Sequence, residues 1–155
     1  MRKIFIFCLL ALSLLSCKQK DWIDWKTQNE IFMLQNKTKS GVQTTSSGLQ
    51  YRIITEGNVY DVRPNSTSTI MLDYELSLIN GNVIESVNNA TLGLSTAIKG
   101  FVEGIKKIHV HGDIELFIPW DLAYGENGTG SEGGTMYIPP YSALVYTIHL
   151  TGVNN

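Results

Sequence analysis

Thr69-Ile70-Met71-Leu72-Asp73-Tyr74-Glu75-Leu76-Ser77-Leu78-Ile79-Asn80-Gly81-Asn82-Val83-Ile84-Glu85 is the stretch from which the fold can be read. From Thr69 to Ile79 the apolar side chains fall largely at alternate positions, the two-residue period of a strand with one face in a core. Asn80-Gly81 interrupts that period, and both residue types tolerate positive φ. Set between two apolar runs, the pair predicts a hairpin, with Val83-Ile84-Glu85 opening the return strand. An antiparallel sheet is therefore the expected framework.

Toward the C-terminus the period changes. Between Thr96 and Ile108, the residues Ile98, Phe101, Val102, Ile105 and Ile108 recur at helical spacing on a single apolar face. Ile114-Glu115-Leu116-Phe117-Ile118 and Ser142 to Leu150 read as two further strands, separated by a glycine-rich segment from Gly125 to Thr135. Toward the N-terminus, Leu49 to Thr55 is another strand, followed by a Gly57–Ser66 loop containing Pro64. The expected class is α+β: one mainly antiparallel sheet with a short helix across a face, and no internal repeat.

The first residues belong to another regime. Arg2 and Lys3 precede an almost wholly apolar run from Ile4 to Ser16, shorter than the ~20 residues that a membrane-spanning helix needs. This reads as a secretory signal. Leu14-Leu15-Ser16-Cys17 resembles a bacterial lipobox, which makes Cys17 the expected lipidation site and the mature N-terminus. A plain signal cleaved nearby is the alternative. Cys8 and Cys17 are the chain's two cysteines, and Cys8 lies within the signal, so the mature protein would hold no disulfide. Residues 1–17 are thus expected to be a signal peptide, 18–45 a helical tether and 46–155 the folded domain. Within the tether, Asp21 is a candidate helix cap. Trp22, Trp25, Ile31, Phe32 and Leu34 give an imperfect apolar stripe, suited to packing on the domain, to a membrane surface or to dimerisation.

Composition narrows the function. Twelve basic and fourteen acidic side chains nearly cancel, and apolar residues make up 43% of 155. No basic stripe suggests nucleic acid. His109-Val110-His111 would put two imidazoles on one face of an extended segment, but with only His149 as a third ligand a surface strand is the simpler reading, and no metal is expected. Gly125-Glu126-Asn127-Gly128-Thr129-Gly130 lacks the Gly-Lys-Ser/Thr ending of a phosphate loop. No serine sits in a nucleophile motif, and no cofactor is implied.

Three stretches carry a resemblance. They are Tyr74 with Asn80-Gly81-Asn82-Val83-Ile84-Glu85-Ser86; Ala97-Ile98-Lys99-Gly100-Phe101-Val102-Glu103-Gly104-Ile105; and Ile118-Pro119-Trp120-Asp121-Leu122-Ala123-Tyr124-Gly125 with Ile138-Pro139-Pro140-Tyr141-Ser142-Ala143-Leu144-Val145-Tyr146. In this order and at this spacing, with Ser46 to Tyr51 as opening strand, the chain from about residue 46 to 153 resembles the FKBP family of peptidyl-prolyl cis–trans isomerases. The resemblance implies a twisted antiparallel sheet wrapped around a short helix.

It also implies a reaction. Rotating an X–Pro bond breaks amide resonance against ~18–20 kcal/mol and takes about 10–100 s unaided. Reaching milliseconds needs a gain of about 10⁴–10⁵, roughly 5.5–7 kcal/mol. A dry apolar pocket supplies part of this, because water solvates the planar, polarised amide better than the twisted one. Hydrogen bonds that favour the twisted state supply more. By resemblance, Tyr74, Ile84, Ile98, Phe101 and Tyr146 would be apolar walls, with Phe101 as floor. The Ile98 N–H and the Tyr124 hydroxyl would hold substrate carbonyls, Glu85 would stand for the family's pocket aspartate, and Ala97 and Ile138 would complete the substrate site.

Some positions depart from the family pattern. Phe101 replaces a tryptophan, Ile84 an aromatic, Glu85 an aspartate and Asp73 a frequent histidine, and the Glu126–Tyr137 loop is longer than in compact members. The expected consequence is retained isomerisation of proline-containing polypeptides with weakened macrolide binding. The alternatives are a chaperone or binding module with weak turnover, and a structural envelope lipoprotein. Lys18 after Cys17, where aspartate would favour inner-membrane retention in enteric bacteria, points to an outer-membrane lipid anchor. Leaflet, clients and oligomeric state stay open.

Overall fold

The computed structural model describes the backbone from residue 16 to residue 155 and side chains from Trp22 onward. The expected signal peptide therefore lies outside the described residues except for its last two positions, and so does the Cys17 side chain.

The elements run α1 (Ser16–Asn36), β1 (Gln43–Thr44), β2 (Gln50–Thr55), β3 (Thr69–Leu78), β4 (Val83–Gly93), a 3₁₀ turn (Leu94–Thr96), α2 (Lys99–Ile105), β5 (Asp113–Ile118), a second 3₁₀ turn (Trp120–Leu122) and β6 (Leu144–Asn154). They form one six-stranded sheet in the order β1-β2-β5-β6-β3-β4, antiparallel throughout. Its inner face and α2 bury Ile70, Leu72, Ile105, Leu116, Ile118 and Ile148. The expected α+β architecture is the observed one.

The hairpin at Asn80-Gly81 forms, by a different turn from the one its sequence suggests. Only Gly81 takes positive φ (+82°). Gly81 N–H donates to Leu78 O at 2.9 Å and Leu78 N–H to Asn82 O at 2.9 Å, so a four-residue turn closes onto a left-handed glycine.

β4 runs further than its alternation reveals, because its register slips. Leu72 faces Ala90 whereas Tyr74 faces Val87, which leaves one extra residue on β4. Asn89 takes φ +55° there, and its N–H donates to Asp73 Oδ1 at 2.7 Å. Inward positions on β4 consequently change parity. Ala90 and Leu92 face in on one side of the bulge, and Val87 and Glu85 on the other.

The helix expected over Thr96–Ile108 is shorter. Ala97 and Ile98 are extended, with φ/ψ of −80°/160° and −63°/148°, and α2 starts at Lys99. Its position is set by two close approaches to β5. A Cβ on Gly100 would meet Ile118 Cγ2 at 2.3 Å, and one on Gly104 would meet Leu116 Cδ2 at 2.4 Å.

Helix α1 packs on its own domain. Since it begins at Ser16, Asp21 lies inside it rather than capping it; no Gly or Pro stands between Ser16 and Asp21 to break the helix. The expected apolar stripe divides. Trp25 and Phe32 face the domain, Phe32 with its ring 6.2 Å from that of Phe117, while Ile31 and Leu34 are exposed. Much of the seam is polar. Trp25 Nε1 donates to Ser142 Oγ at 2.9 Å, Ala143 N to Asn29 Oδ1 at 2.8 Å, Asn36 Nδ2 to Gln50 Oε1 at 3.0 Å, and Gln50 Nε2 to Met33 O at 2.8 Å. Asn29, Asn36, Gln50 and Ser142 are buried, and their hydrogen bonds fix one register of the helix against the sheet, although Asn36 Oδ1 is left without a partner.

Candidate active site

Strands β3, β4 and β6, helix α2 and the segments beside the two 3₁₀ turns converge on a single cavity. β3 presents Tyr74, β4 presents Glu85 and Leu92, the extended link before α2 gives Ala97 and Ile98, α2 gives Phe101, and β6 gives Tyr146. Tyr124 comes from the segment after the second 3₁₀ turn. Together with Thr96, these residues line a cavity of about 260 Å³.

Its base is aromatic. Phe101 is 3% exposed, and its ring meets that of Tyr146 edge-on, with centroids 5.2 Å apart. Tyr74 and Tyr146 lie 6.0 Å apart at a 44° tilt. Ile98 is the N-cap of α2, and the helical ladder makes no use of a cap residue's own N–H. That leaves the donor at the cavity edge.

Tyr74 donates its hydroxyl proton to Glu85 Oε2 at 2.6 Å. Burial pushes the Tyr74 phenol above its ordinary range, and the hydrogen bond to Glu85 adds to the effect. Burial raises Tyr146 and Tyr124 as well, with smaller contributions from neighbouring phenols or Glu85. All three phenols therefore stay protonated near neutral pH, as donors rather than phenolates.

Tyr124 is held through its neighbours' backbone. Ala123 N–H and Gly125 N–H both donate to Trp120 O, at 3.2 and 2.8 Å, and Tyr141 N–H donates to Gly125 O at 3.0 Å. Gly125, at φ +67°, supplies the left-handed residue that this reversal requires.

Seven of the residues expected from sequence thus meet here: Tyr74, Glu85, Ala97, Ile98, Phe101, Tyr124 and Tyr146. Ile84 and Ile138 are not part of the lining. Ile84 sits where the β3–β4 register shifts between Ser77↔Val83 and Leu76↔Glu85, packed half-buried against the core. Ile138 is 1% exposed in the core and bridges to Thr129. Leu92 and Thr96 were missed. Regular alternation carried forward from Glu85 would turn Leu92 outward, since it takes no account of the intervening bulge, and Thr96 sits in a turn that reads as helix.

The histidines lie away from this cavity. His109-Val110-His111 is a turn rather than the expected surface strand: His109 is buried and accepts from Arg63 Nε at 2.8 Å, while His111 is exposed at φ +66°. His149 Nδ1 lies 2.8 Å from Asp113 Oδ1. Among the described residues, no three His, Cys, Asp or Glu side chains stand in a group fit to hold a metal.

Comparison with known proteins agrees with this geometry. Residues 60–151 match the family profile described as FKBP-type peptidyl-prolyl cis-trans isomerase, and residues 15–53 match the domain amino-terminal to such isomerases. A probable FKBP-type isomerase FkpA of Neisseria meningitidis is 34% identical over 132 residues, covering 83% of this chain and 46% of that protein. The outer membrane protein MIP of Legionella longbeachae is 33% identical, covering 83% and 54%. An FKBP-type 22 kDa isomerase of Escherichia coli is 35% identical, covering 77% and 56%. The chain spans about half the length of these curated relatives. Among solved structures, FkpA from Escherichia coli superposes with a TM-score of 0.81 at 29% identity, covering 90% of this chain and 64% of that one. A sheet closed over a short helix, an aromatic cavity at their junction and a family profile spanning both together establish that this chain belongs to the FKBP-type peptidyl-prolyl cis–trans isomerase family.

Proposed function

We propose that this chain is a peptidyl-prolyl cis–trans isomerase acting on proline-containing polypeptides by non-covalent binding. The observation that carries this reading is the apolar cavity floored by Phe101 and Tyr146, with protonated hydroxyls at its rim. A proline ring sits over Phe101, and its preceding amide loses water on entry. Desolvation raises the planar, polarised ground state relative to the twisted state, in which resonance is lost. The Ile98 N–H and Tyr124 hydroxyl grip the flanking carbonyls. Glu85 fixes the Tyr74 ring through their 2.6 Å hydrogen bond. No bond to the enzyme is made or broken.

The same reading extends to the whole chain. Residues 1–17 are a lipoprotein signal ending in a lipidated Cys17, residues 18–45 a tether containing most of α1, and residues 46–155 the isomerase domain. The lipobox-like Leu14-Leu15-Ser16-Cys17 supports the anchor, and the relative named outer membrane protein MIP supports an envelope location. Lys18 favours the outer membrane. Phe101, which lacks an indole donor, and Glu85, longer than aspartate, weaken macrolide binding while leaving general apolar catalysis in place.

The test is a protease-free isomerisation assay on proline peptides with the full chain in detergent, beside a Tyr124→Phe, Phe101→Leu double variant. Acceleration that is lost in the folded variant supports the reading. A folded wild type that binds unfolded clients saturably but accelerates nothing would leave a binding module. Metabolic labelling with a radioactive fatty acid, abolished by Cys17→Ser, tests the anchor.

A further inference from the structure

We propose that Lys26 of helix α1 is a positioning residue for Tyr124, so that the helix ahead of the isomerase domain sets the geometry of the cavity rim. The inference rests on the isomerase reading of that cavity.

Lys26 lies against two rings at once. Its Nζ is 4.8 Å from the centroid of Tyr141 and 5.2 Å from that of Trp120, and those rings meet edge-on at 5.3 Å. Its one ion-pair partner among the described residues is Glu30, at a loose 4.0 Å. The ammonium is thus held mainly by the aromatic faces, an attraction that depends on its charge.

Trp120 and Tyr141 are also the two residues whose backbones fix Tyr124. Trp120 O accepts from the N–H groups on either side of Tyr124, and Tyr141 N–H closes the loop onto Gly125 O. Tyr141 itself holds a left-handed φ of +59°, which a bulky side chain keeps only where surroundings enforce it. Trp120 and α1 together supply those surroundings. Lys26 and Trp120 flank the Tyr141 ring, Trp25 Nε1 donates to Ser142 Oγ, and Asn29 Oδ1 accepts from Ala143 N. Three neighbouring side chains of one helix therefore grip Tyr141, Ser142 and Ala143. The continuous path is Lys26, the Trp120–Tyr141 pair, Gly125 and Tyr124. Nothing in the chemistry of proline rotation calls for a cation, and Lys26 is not among the residues that line the cavity.

The test compares the full chain in detergent with Lys26→Met, which keeps an apolar stem and removes the charge, and Lys26→Arg, which restores a cation. Lys26→Gln serves as a second charge-free variant should Lys26→Met fail to fold. The expected result is a roughly three- to tenfold fall in kcat/KM for Lys26→Met with an unchanged folded CD spectrum, recovered by Lys26→Arg. In a Tyr124→Phe background the same substitution should have no further effect, since the hydroxyl it places is gone. An equal penalty in both backgrounds, or none in either, overturns the proposal while leaving the isomerase reading intact. A wild type without turnover sinks that reading instead. The positioning claim is then decided by ¹⁹F NMR of fluorotyrosine-labelled protein, with Tyr124 assigned by its loss in Tyr124→Phe. A Tyr124 resonance shifted by Lys26→Met and restored by Lys26→Arg sustains it, and an unmoved resonance overturns it.

Discussion

The carboxylate of Asp73 on β3 accepts the backbone N–H of Asn89 on β4 at 2.7 Å, and this bond holds the bulge that turns both Leu92 and Glu85 toward the cavity. Leu92 and Glu85 are an odd number of residues apart, so a regular strand would send them to opposite faces. One charge-assisted hydrogen bond on the far side of the sheet thereby shapes the pocket.

Replacing Asp73 tests that link. Asp73→Ala leaves the Asn89 amide without its acceptor and should cost about 1 kcal/mol in stability, with a larger proportional loss of isomerase activity as Glu85 loses its alignment. Asp73→Asn keeps an acceptor oxygen and should recover most of both. Urea titration and peptide kinetics measured side by side decide it; a stability loss without an activity loss would detach the bulge from the site.

The Tyr74–Glu85 bond can be removed with little change of shape. Tyr74→Phe deletes the donor and leaves the ring against Tyr146. A several-fold drop in kcat/KM, with KM rising more than kcat falls, is expected from a loosened wall. Wild-type kinetics in Tyr74→Phe would show that this hydroxyl is mere filling.

The raised phenols carry a pH signature. Burial and, for Tyr74, the bond to Glu85 keep these protons on in the folded state beyond the ordinary value of 10.0. The unfolded chain sheds its protons first, from about pH 10, so the folded state binds more protons above that point. Stability from this source is complete below about pH 10 and is lost as pH climbs through the raised folded values. Melting temperature should be level between about pH 7 and 9 and fall more steeply above 10 in wild type than in Tyr74→Phe. Identical alkaline slopes would remove Tyr74 as the cause.

Gly104→Ala probes the seat of α2. The added methyl would stand 2.4 Å from Cδ2 and 2.7 Å from Cδ1 of the fully buried Leu116, so that side chain would have to shift. Overpacking of this kind costs about 1–3 kcal/mol. Phe101→Leu, which empties part of the cavity floor instead, should cost about as much and also depress kcat/KM. Differential scanning calorimetry on both separates the scaffold from the site; a Gly104→Ala variant as stable as wild type would mean that Leu116 moves aside and that the close approach does not seat α2.

Much of this arrangement could be read in advance, and the exceptions share a cause. Tyr74 falls within an alternating run, Phe101 in a helical face and Tyr146 in an apolar strand, and the spacing of the motifs around them already resembles the family. Local pattern sufficed because strands and helices impose their own periods. The parity change on β4 was invisible, since it depends on Asp73 reaching a strand beyond a turn. Ile98 read as the first apolar position of a helix begun at Thr96, because its spacing fits one, yet it is extended and α2 starts only after it. Ile138 looked like a site residue from its place in the Ile-Pro-Pro motif and proved to be core. Helix α1 gave a poor apolar stripe because Asn29, Asn36 and Gln50 carry much of its attachment, and buried amides look like surface residues in a sequence.

That attachment has a consequence in time. Trp25 binds a partner 117 positions later in the chain, and Asn29 one 114 positions later. The chain emerges N-terminus first, from the ribosome and, on the exported reading, across the membrane, so α1 always precedes Ser142 and Ala143. The first helix must therefore wait, its tryptophan uncovered, until Pro139 to Leu144 emerges. The clasp that aligns the rim can close only after nearly the whole chain has been synthesised. A chain cut before Tyr141 would lose the central strand β6 together with the partners of Trp25 and Asn29, so the sheet and the clasp are completed by the same last segment.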